Sequence, residues 1–256
     1  MASIITITTD FGNADGYAGV MEGIIAGIHP AVRIVTISNH VPPGDFVGGN
    51  YMLKTHARYF PQGTVHLAVV DPGVGSDRNI IAIKTSQYLF VGPDNGLFSF
   101  IPDEDIDSIH TVTNPEYMLG AISKSFHGRD IMAPAAAYLS LGVDPACLGA
   151  KVDNFIRLTG IDPVISDGRI TGRIIWIDRF GNLISNIEGH LIGEDRIISL
   201  NDREIGTLKE TFSSVAQGQP LAYIGSGGNL EIAVRDGSAR DFFYITHPAD
   251  SQIQVA

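Results

Sequence analysis

The chain has 256 residues, of which 44% are hydrophobic and 18% charged, enough to bury the core of one large domain or two modest ones. Lys and Arg number 17 and Asp and Glu number 28, and the resulting net charge of −11 disfavours binding to nucleic acid or to anionic membrane surfaces. The single cysteine, Cys147, excludes an intrachain disulfide and a cysteine zinc cluster, and it indicates a reducing, cytoplasmic setting.

The apolar segments do not predict a membrane protein. The segment 1–9 lacks the basic region of a signal peptide and runs directly into Asp10, so it is predicted to be a strand. The uncharged stretch at 131–143 is too short to cross a bilayer core of about 30 Å and is typical of a buried helix. We therefore expect a soluble protein.

The first part of the chain alternates short β-branched segments with segments of helical spacing, and Asp15 is placed to cap the first helix. Strands are predicted at 3–9, 32–38, 64–70, 80–85 and 88–92, and helices at 15–29, 45–59 and 131–141. Such alternation favours a mainly parallel sheet flanked by helices. We assign residues 1–160 to an α/β domain of this kind.

The pattern changes near Gly168, where short strand-like segments follow one another between Gly, Asn and Asp residues. Strands are predicted at 168–178, 183–187, 196–200, 221–224, 230–234 and 242–245. No long helical pattern lies among them, so residues 168–256 are predicted to form a smaller all-β domain. The segment 151–167, which contains Gly160 and Pro163, is predicted to be the linker.

Three polar, glycine-rich segments follow predicted strands of the first domain, at 8–12, 71–75 and 93–96. Ligands of α/β sheets bind beyond the carboxyl ends of the strands, which makes these segments candidate site loops. Each segment taken alone also fits an ordinary tight turn. The acidic residues in the loops and the nearby Arg78 favour a functional interpretation.

Several common sites are excluded by the residues present. No G-x-G-x-x-G opens the helix after the first strand, and no Walker A motif occurs, so a dinucleotide or P-loop site is not predicted. The carboxylates of Asp10 and Asp15 suit hydroxyl groups or an ammonium better than a phosphate. His40, His66 and His110 are scattered without the spacing of a zinc hydrolase.

Six motifs, in the same order along the chain, together resemble one family. They are 8–12 (TTDFG), 60–67 (FPQGTVHL), 69–75 (VVDPGVG), 92–97 (GPDNGL), 125–130 (SFHGRD) and 180–187 (FGNLISNI). The sequence is similar to the S-adenosyl-L-methionine hydroxide adenosyltransferases, which are related to fluorinating and chlorinating enzymes. The likeness extends from Thr8 to about Gly237. It implies an α/β N-terminal domain followed by a small β-barrel domain.

The resemblance implies hydrolysis of S-adenosyl-L-methionine to adenosine and L-methionine, by attack of water or hydroxide on the ribose C5′, without a cofactor. Asp71, Arg78 and His127 match the family's water-activating set. The guanidinium is expected to favour hydroxide, and His127 and Asp71 to accept or relay the proton. Halogenating relatives have an uncharged residue in place of this aspartate and lack the His–Arg pair, and a carboxylate repels halides, so hydroxide is the expected nucleophile.

The same resemblance assigns substrate contacts to five residues. Asp10 matches the residue that binds the ribose hydroxyls, and Asp15 matches the one near the methionine amine. Phe180 and Asn182 belong to the F-G-N motif that faces the adenosine, and Ser226 matches a serine that holds the methionine end.

The resemblance also implies a homotrimer, with each site formed between the N-terminal domain of one subunit and the C-terminal domain of the next. Asp178 is the nearest candidate for the family's aspartate before F-G-N, with a role that the sequence leaves open.

Two alternative functions stay open as well. One is a halide-using 5′-halogenase, and the other is a non-catalytic sensor of nucleosides or S-adenosylmethionine, which would keep Asp10 and Asn182 without needing the Asp71 set.

Overall fold

The computed structural model describes residues 3–248 and 251–256. The chain divides into two compact units, Met1–Leu158 and Thr159–Ala256. Each unit has its own hydrophobic core, and each is described separately below. Within the described part of the chain, no helix has both the length and the apolar character needed to cross a membrane.

Unit 1 is built on a seven-stranded sheet with the strand order β2-β1-β3-β5-β4-β6-β7. Its elements are β1 (Ile4–Thr9), α1 (Tyr17–Ile28), β2 (Arg33–Ser38), α2 (Phe46–His56), β3 (Val65–Val69), β4 (Ile80–Thr85), β5 (Leu89–Pro93), β6 (Ile106–Thr111), α3 (Ala133–Ser140) and β7 (Lys151–Val152).

Strand direction in this sheet is mixed. The pairs β1–β2, β1–β3 and β3–β5 are parallel, whereas β4 pairs antiparallel with β5 and β6, and β7 pairs antiparallel with β6. Five strands therefore share one direction and β4 and β7 run against them. The predicted α/β class with a mainly parallel sheet is confirmed.

Helices cover both faces of the sheet, because both faces of the central strands carry apolar side chains. Met21 and Ile25 of α1 pack with Met132 and the alanines of α3 on one face. Leu53 of α2 packs with Phe98 and the opposite face of the strands on the other side. Burial on two faces explains why every residue of β3, including His66, is buried.

Unit 2 is an antiparallel sheet that curls into a nearly closed barrel, as the resemblance implied. Its elements are β8 (Val164–Ser166), β9 (Arg169–Ile177), β10 (Leu183–Glu188), β11 (Ile198–Leu200), β12 (Arg203–Gly206), β13 (Pro220–Ile224), β14 (Asn229–Val234), α4 (Ala239–Phe242) and β15 (Gln252–Val255). The order is β12-β11-β15-β9-β10-β14-β13, with β8 beside β9. A bridge between Leu208 and Ala222 joins the segment after β12 to β13, which brings the two ends of the sheet together.

Two predictions about local structure are wrong. Asp15 does not cap α1, because the helix begins at Tyr17 after Gly16, which has a left-handed backbone (φ 72°) and no side-chain cap. The segment 242–245 is not a strand, since the Ser238 side chain accepts a hydrogen bond from Asp241 N at 3.2 Å and starts the short helix α4. The boundary between the two units, at Leu158 and Thr159, falls within the predicted linker 151–167, which also contains the short strands β7 and β8.

Candidate active site

The loops after β1, β3 and β5 lie side by side, because these strands are parallel neighbours whose carboxyl ends share one edge of the sheet. Hydrogen bonds tie the loops to each other. Gly44 N donates to Asp10 Oδ2 at 3.0 Å, and Asn95 Nδ2 donates to Val70 O at 2.8 Å. These bonds join the loop after β1 to the one after β2, and the loop after β5 to the residue that follows β3, along the edge that the sequence predicts to bind ligand.

Asp71, Arg78 and His127 come together at this edge. Arg78 Nε donates to Asp71 Oδ1 at 2.8 Å and Arg78 Nη2 donates to Asp71 Oδ2, which makes the pair bidentate. The same Nη2 lies 3.2 Å from His127 Nδ1. The side chains of Asp71 and Arg78 are only 5% and 10% exposed. Such a shielded, two-point pair fixes the guanidinium more firmly than a surface ion pair would.

Two glycines allow the loops that carry Arg78 and His127 to meet. Gly75 has a left-handed backbone (φ 81°), and a Cβ there would collide with the carbonyl oxygen of Lys124. A Cβ at Gly128, next to His127, would lie 3.3 Å from both Met21 Sδ and Val69 Cγ1. Gly75 therefore requires a residue without a side chain, and Gly128 leaves little room for one.

A π-helical turn, Gly128–Met132, follows His127 and leads into α3. Asp130 in this turn is fully buried, forms an ion pair with Arg129, and accepts a hydrogen bond from Ser123 N at 2.7 Å. Burial raises the pKa of Asp130, but the hydrogen bonds from Arg129 and Ser123 outweigh it, and the pKa lies below its ordinary value. The charged Asp130 anchors the loop just before His127.

His127 is held in its neutral form. Burial lowers the pKa of His127 and the Arg78 charge lowers it further, although Asp71 and Asp130 act in the opposite direction. A guanidinium has only N–H donors, so His127 Nδ1 accepts from Arg78 and the ring proton lies on Nε2. The other ring nitrogen, Nε2, is then a donor, so in this arrangement His127 has no free lone pair with which to accept the proton of the water, and relay is the part of the expectation that remains.

Asp10 lies next to this cluster and is half-buried. Burial raises the pKa of its carboxyl, hydrogen bonds from the backbone at Gly44 and Asp10 lower it, and the negative charge of Asp71 raises it further. The Asp71 charge acts on Asp10 at short range only because the loops after β1 and β3 are adjacent. Two carboxylates and one fixed guanidinium thus share this end of the sheet.

Three aromatic rings border the cluster. Phe11, directly after Asp10, and Phe126, directly before His127, have ring centroids 5.8 Å apart, and both contact Tyr17 at the start of α1. The sequence motifs contain Phe11 and Phe126, but nothing in their spacing indicated that Tyr17 would join them. These three rings give the polar site formed by Asp71, Arg78 and His127 an apolar wall.

The F-G-N turn between β9 and β10 in unit 2 is organised by Asp178. Asp178 Oδ1 accepts from Phe180 N at 2.9 Å and from Asn182 N at 2.8 Å, and Oδ2 accepts from Asn182 Nδ2 at 2.8 Å. Gly181 in the middle has φ 82°, and a Cβ there would collide with Ser238. The role of Asp178 that the sequence left open is therefore structural: its carboxylate orients the Asn182 amide.

The other three predicted substrate contacts, Asp15, Phe180 and Ser226, are exposed. Asp15 is exposed ahead of α1 and takes no part in the bonds that join Asp71, Arg78 and His127. Phe180 is 75% exposed at the tip of its turn. Ser226 is exposed in the turn between β13 and β14.

No cluster of three or more His, Cys, Asp and Glu side chains is arranged to hold a metal ion among residues 3–248 and 251–256. The expectation that no cofactor is needed stays a prediction, which a chelation experiment tests.

Comparison with known proteins agrees with this architecture of an α/β unit and a β-barrel unit. The model of the SAM hydroxide adenosyltransferase N-terminal domain matches residues 5–149, and that of the C-terminal domain matches residues 172–250. The chain belongs to the SAM hydroxide adenosyltransferase family.

Similar proteins include the (R)-S-adenosyl-L-methionine hydrolases of Salinispora tropica and Thermus thermophilus. Both are 36% identical to this chain, covering 96% of it and 95% of the relative in the first case, and 91% and 92% in the second. A crystal structure of an uncharacterized conserved protein from Thermotoga maritima superposes with a TM-score of 0.91 at 31% identity, over 98% of this chain and 99% of that one. A fluorinase from an Actinoplanes species is more distant, at 26% identity over 90% of each chain.

Proposed function

We propose that this protein hydrolyses S-adenosyl-L-methionine to adenosine and L-methionine. The observation that carries the proposal is the bidentate Asp71–Arg78 pair in contact with His127 at the carboxyl edge of the sheet. Near full-length relatives named as hydrolases of this substrate support it, and the lower identity to a fluorinase favours water over a halide.

The reaction consumes one water molecule and releases one proton. The water oxygen forms a bond to the ribose C5′ while the C5′–S bond breaks, and the electron pair of that bond goes to sulfur. Methionine leaves as a neutral thioether, which makes the sulfonium a good leaving group. The enzyme therefore has to place the oxygen in line with the C5′–S bond and to receive its proton.

In the mechanism that we propose, Asp71, Arg78 and His127 both place the water oxygen and receive its proton. His127 Nε2–H donates to the water oxygen and orients it, because Nδ1 is already occupied by Arg78. The Asp71 carboxylate accepts the proton, since each of its oxygens keeps a lone pair beyond the one used by Arg78. The fixed Arg78 charge stabilises the developing hydroxide character of the oxygen.

Substrate contacts are proposed at the residues that the resemblance assigned. Asp10 accepts hydrogen bonds from the ribose hydroxyls, and its half-buried position makes these bonds stronger than at an exposed carboxylate. Asn182, oriented by Asp178, presents an amide to the adenine edge. Asp15 and Ser226 are proposed to bind the amine and the other end of the methionine, and Phe180 to pack on the adenosine.

The direct test is to incubate the purified protein with S-adenosyl-L-methionine and to separate the products by chromatography. Adenosine and methionine are expected, without added metal, with a chelator present, and with oxygen from ¹⁸O-labelled water in the adenosine. Formation of 5′-chloro-5′-deoxyadenosine in preference to adenosine would favour the halogenase. Binding of the substrate without turnover would favour the sensor.

We also propose a homotrimer in a cytoplasmic setting, which the family resemblance and the single Cys147 support. Light scattering coupled to size-exclusion chromatography gives the mass of the assembly. A mass of one or two chains would contradict the trimer.

A further inference from the structure

Glu231 is a buried acid that the proposed mechanism does not use. It lies on β14 with 8% of its surface exposed, directly between Ile184 of β10 and Tyr223 of β13. Its neighbours Leu230 and Ile232 face the core of unit 2, so the alternation of the strand directs Glu231 to the other face of the sheet.

Both oxygens of the Glu231 carboxyl are in close contact with the β13–β14 hairpin. Oε2 accepts a hydrogen bond from the Tyr223 hydroxyl. A Cβ built on Gly225 would overlap Oε1 and Cδ of Glu231, so the carboxyl fills the space beside that glycine. Gly225 opens the turn of the hairpin, where Gly225 N donates to Asn229 O and Gly228 N donates to Gly225 O, both at 2.9 Å.

The turn that Glu231 supports carries Ser226, the residue proposed to hold the methionine end of the substrate. The carboxyl is also within electrostatic range of Asp178, which orients the F-G-N turn. The buried Glu231 carboxyl thus lies behind the Gly225–Gly228 turn. It also lies near Asp178, whose carboxylate organises the F-G-N turn.

Burial of the Glu231 carboxyl carries a desolvation cost. Burial raises the pKa of Glu231, the Tyr223 hydrogen bond lowers it, and the Asp178 charge raises it again. An apolar side chain of similar volume would fill the same position on the sheet without this desolvation cost. Such a side chain would not accept the hydrogen bond from the Tyr223 hydroxyl, which ties Glu231 to β13.

We propose that Glu231 is a positioning residue that fixes the Gly225–Gly228 turn, and with it Ser226, for the methionine end of the substrate. The inference rests on the proposed hydrolysis of S-adenosyl-L-methionine. It assigns Glu231 no contact with the reacting atoms.

The test compares Glu231→Met, which keeps the volume and removes the acceptor, with Glu231→Gln, which keeps an acceptor for Tyr223. For Glu231→Met we expect the KM for S-adenosyl-L-methionine to rise about tenfold, with kcat and the Kd for adenosine within about threefold of wild type. Glu231→Gln is expected to stay within about threefold in KM. Leu200→Ala, in the core of unit 2, is the control for lost stability and is expected to lower the melting temperature without changing KM.

A second variant tests the contact itself. The backbone of Gly225 is not in the left-handed region, so Gly225→Ala is strained only through its collision with Glu231. We expect Gly225→Ala to raise the KM in the wild-type background and to add no further loss in a Glu231→Ala background, where the side-chain atoms that overlap the new Cβ are gone.

Two results would overturn the inference: an unchanged KM in Glu231→Met, or equal losses for S-adenosyl-L-methionine and adenosine. If wild type forms no adenosine at all, the proposed function fails instead. That failure is separate, because the positioning claim is judged only by the difference between variants of an active enzyme.

Discussion

The two groups of candidate site residues, one in each unit, are built in opposite ways. In unit 1, Arg78 pairs with Asp71, seven residues earlier, and contacts a ring nitrogen of His127, 49 residues later in the chain. In unit 2, Asp178 and Asn182 are four residues apart and meet through backbone N–H groups and one amide. The first arrangement depends on the whole fold of its unit, whereas the second is a local turn.

The difference also separates two kinds of chemistry. The unit 1 cluster holds charge, fixes a guanidinium and keeps an imidazole neutral, which suits the handling of water and protons. The unit 2 turn holds an amide in a fixed orientation, which suits recognition of a base. Substitutions in the first are therefore expected to change rate, and substitutions in the second to change affinity.

The largest effect is expected for Arg78→Ala. Loss of the guanidinium removes the partner of Asp71 and of His127 Nδ1 together, and we expect kcat to fall roughly 10²-fold or more with the substrate Kd within several-fold of wild type. His127→Ala is expected to behave similarly, and the double variant to be far from additive, because both groups act on one water.

Arg78→Lys is the conservative control. A lysine cannot make the bidentate pair with Asp71, so it is expected to restore little activity. A multiplicative loss in the Arg78→Ala/His127→Ala variant would show that the two residues act separately, and a wild-type rate in either single variant would remove that residue from the mechanism.

A smaller effect, on affinity, is expected for Asp178→Ala. The variant loses three hydrogen bonds that orient the F-G-N turn, so the Kd for adenosine is expected to rise roughly tenfold or more, with a smaller change in kcat. Calorimetric titration with adenosine measures it. Asp162→Ala removes an exposed carboxylate of the same unit and is the control for net charge. Equal Kd values for the two variants would contradict the assigned role of Asp178.

The smallest expected effect is a shift in titration of His127. Its pKa lies below the ordinary value of about 6.5, so the neutral ring, and the activity that needs it, persist as the pH falls through that value and are lost only at lower pH. NMR titration of the imidazole nitrogens measures this pKa. In Arg78→Ala the pKa is expected to rise, since one of the two causes that lower it is gone. A pKa above the ordinary value in wild type would contradict the neutral ring.

Much of the fold follows from local pattern. The strands from β1 to β5 have β-branched or apolar runs bounded by turn residues, and the structure has each within two residues of its predicted bounds. Phe242 and Phe243 have strand propensity as well, but the Ser238 cap and the left-handed Tyr244 (φ 56°) make a helical turn instead. Strand β6 was missed because Asp107, Ser108 and His110 interrupt its apolar pattern.

The candidate site was predictable as a set of residues but not as a set of contacts. The order of strands placed Asp10 and Asp71 at one edge before any distance was known. Nothing in the sequence indicated that Arg78 would occupy His127 Nδ1, which decides where the ring proton lies. Likewise, the contact between Glu231 and Gly225 follows from the pairing of β13 with β14, which spacing alone does not set.

The reversed direction of β4 has a consequence for how this site can diverge. Because β4 runs against β3 and β5, the chain from 70 to 79 leaves the sheet and re-enters it at the same edge, with no crossover helix between. Asp71 and Arg78 therefore sit at the two ends of one short excursion. Lengthening such a connection costs only about 0.6 kcal/mol per doubling. Changes within residues 70–79 are therefore expected to alter the site while the strands of the sheet keep their pairing.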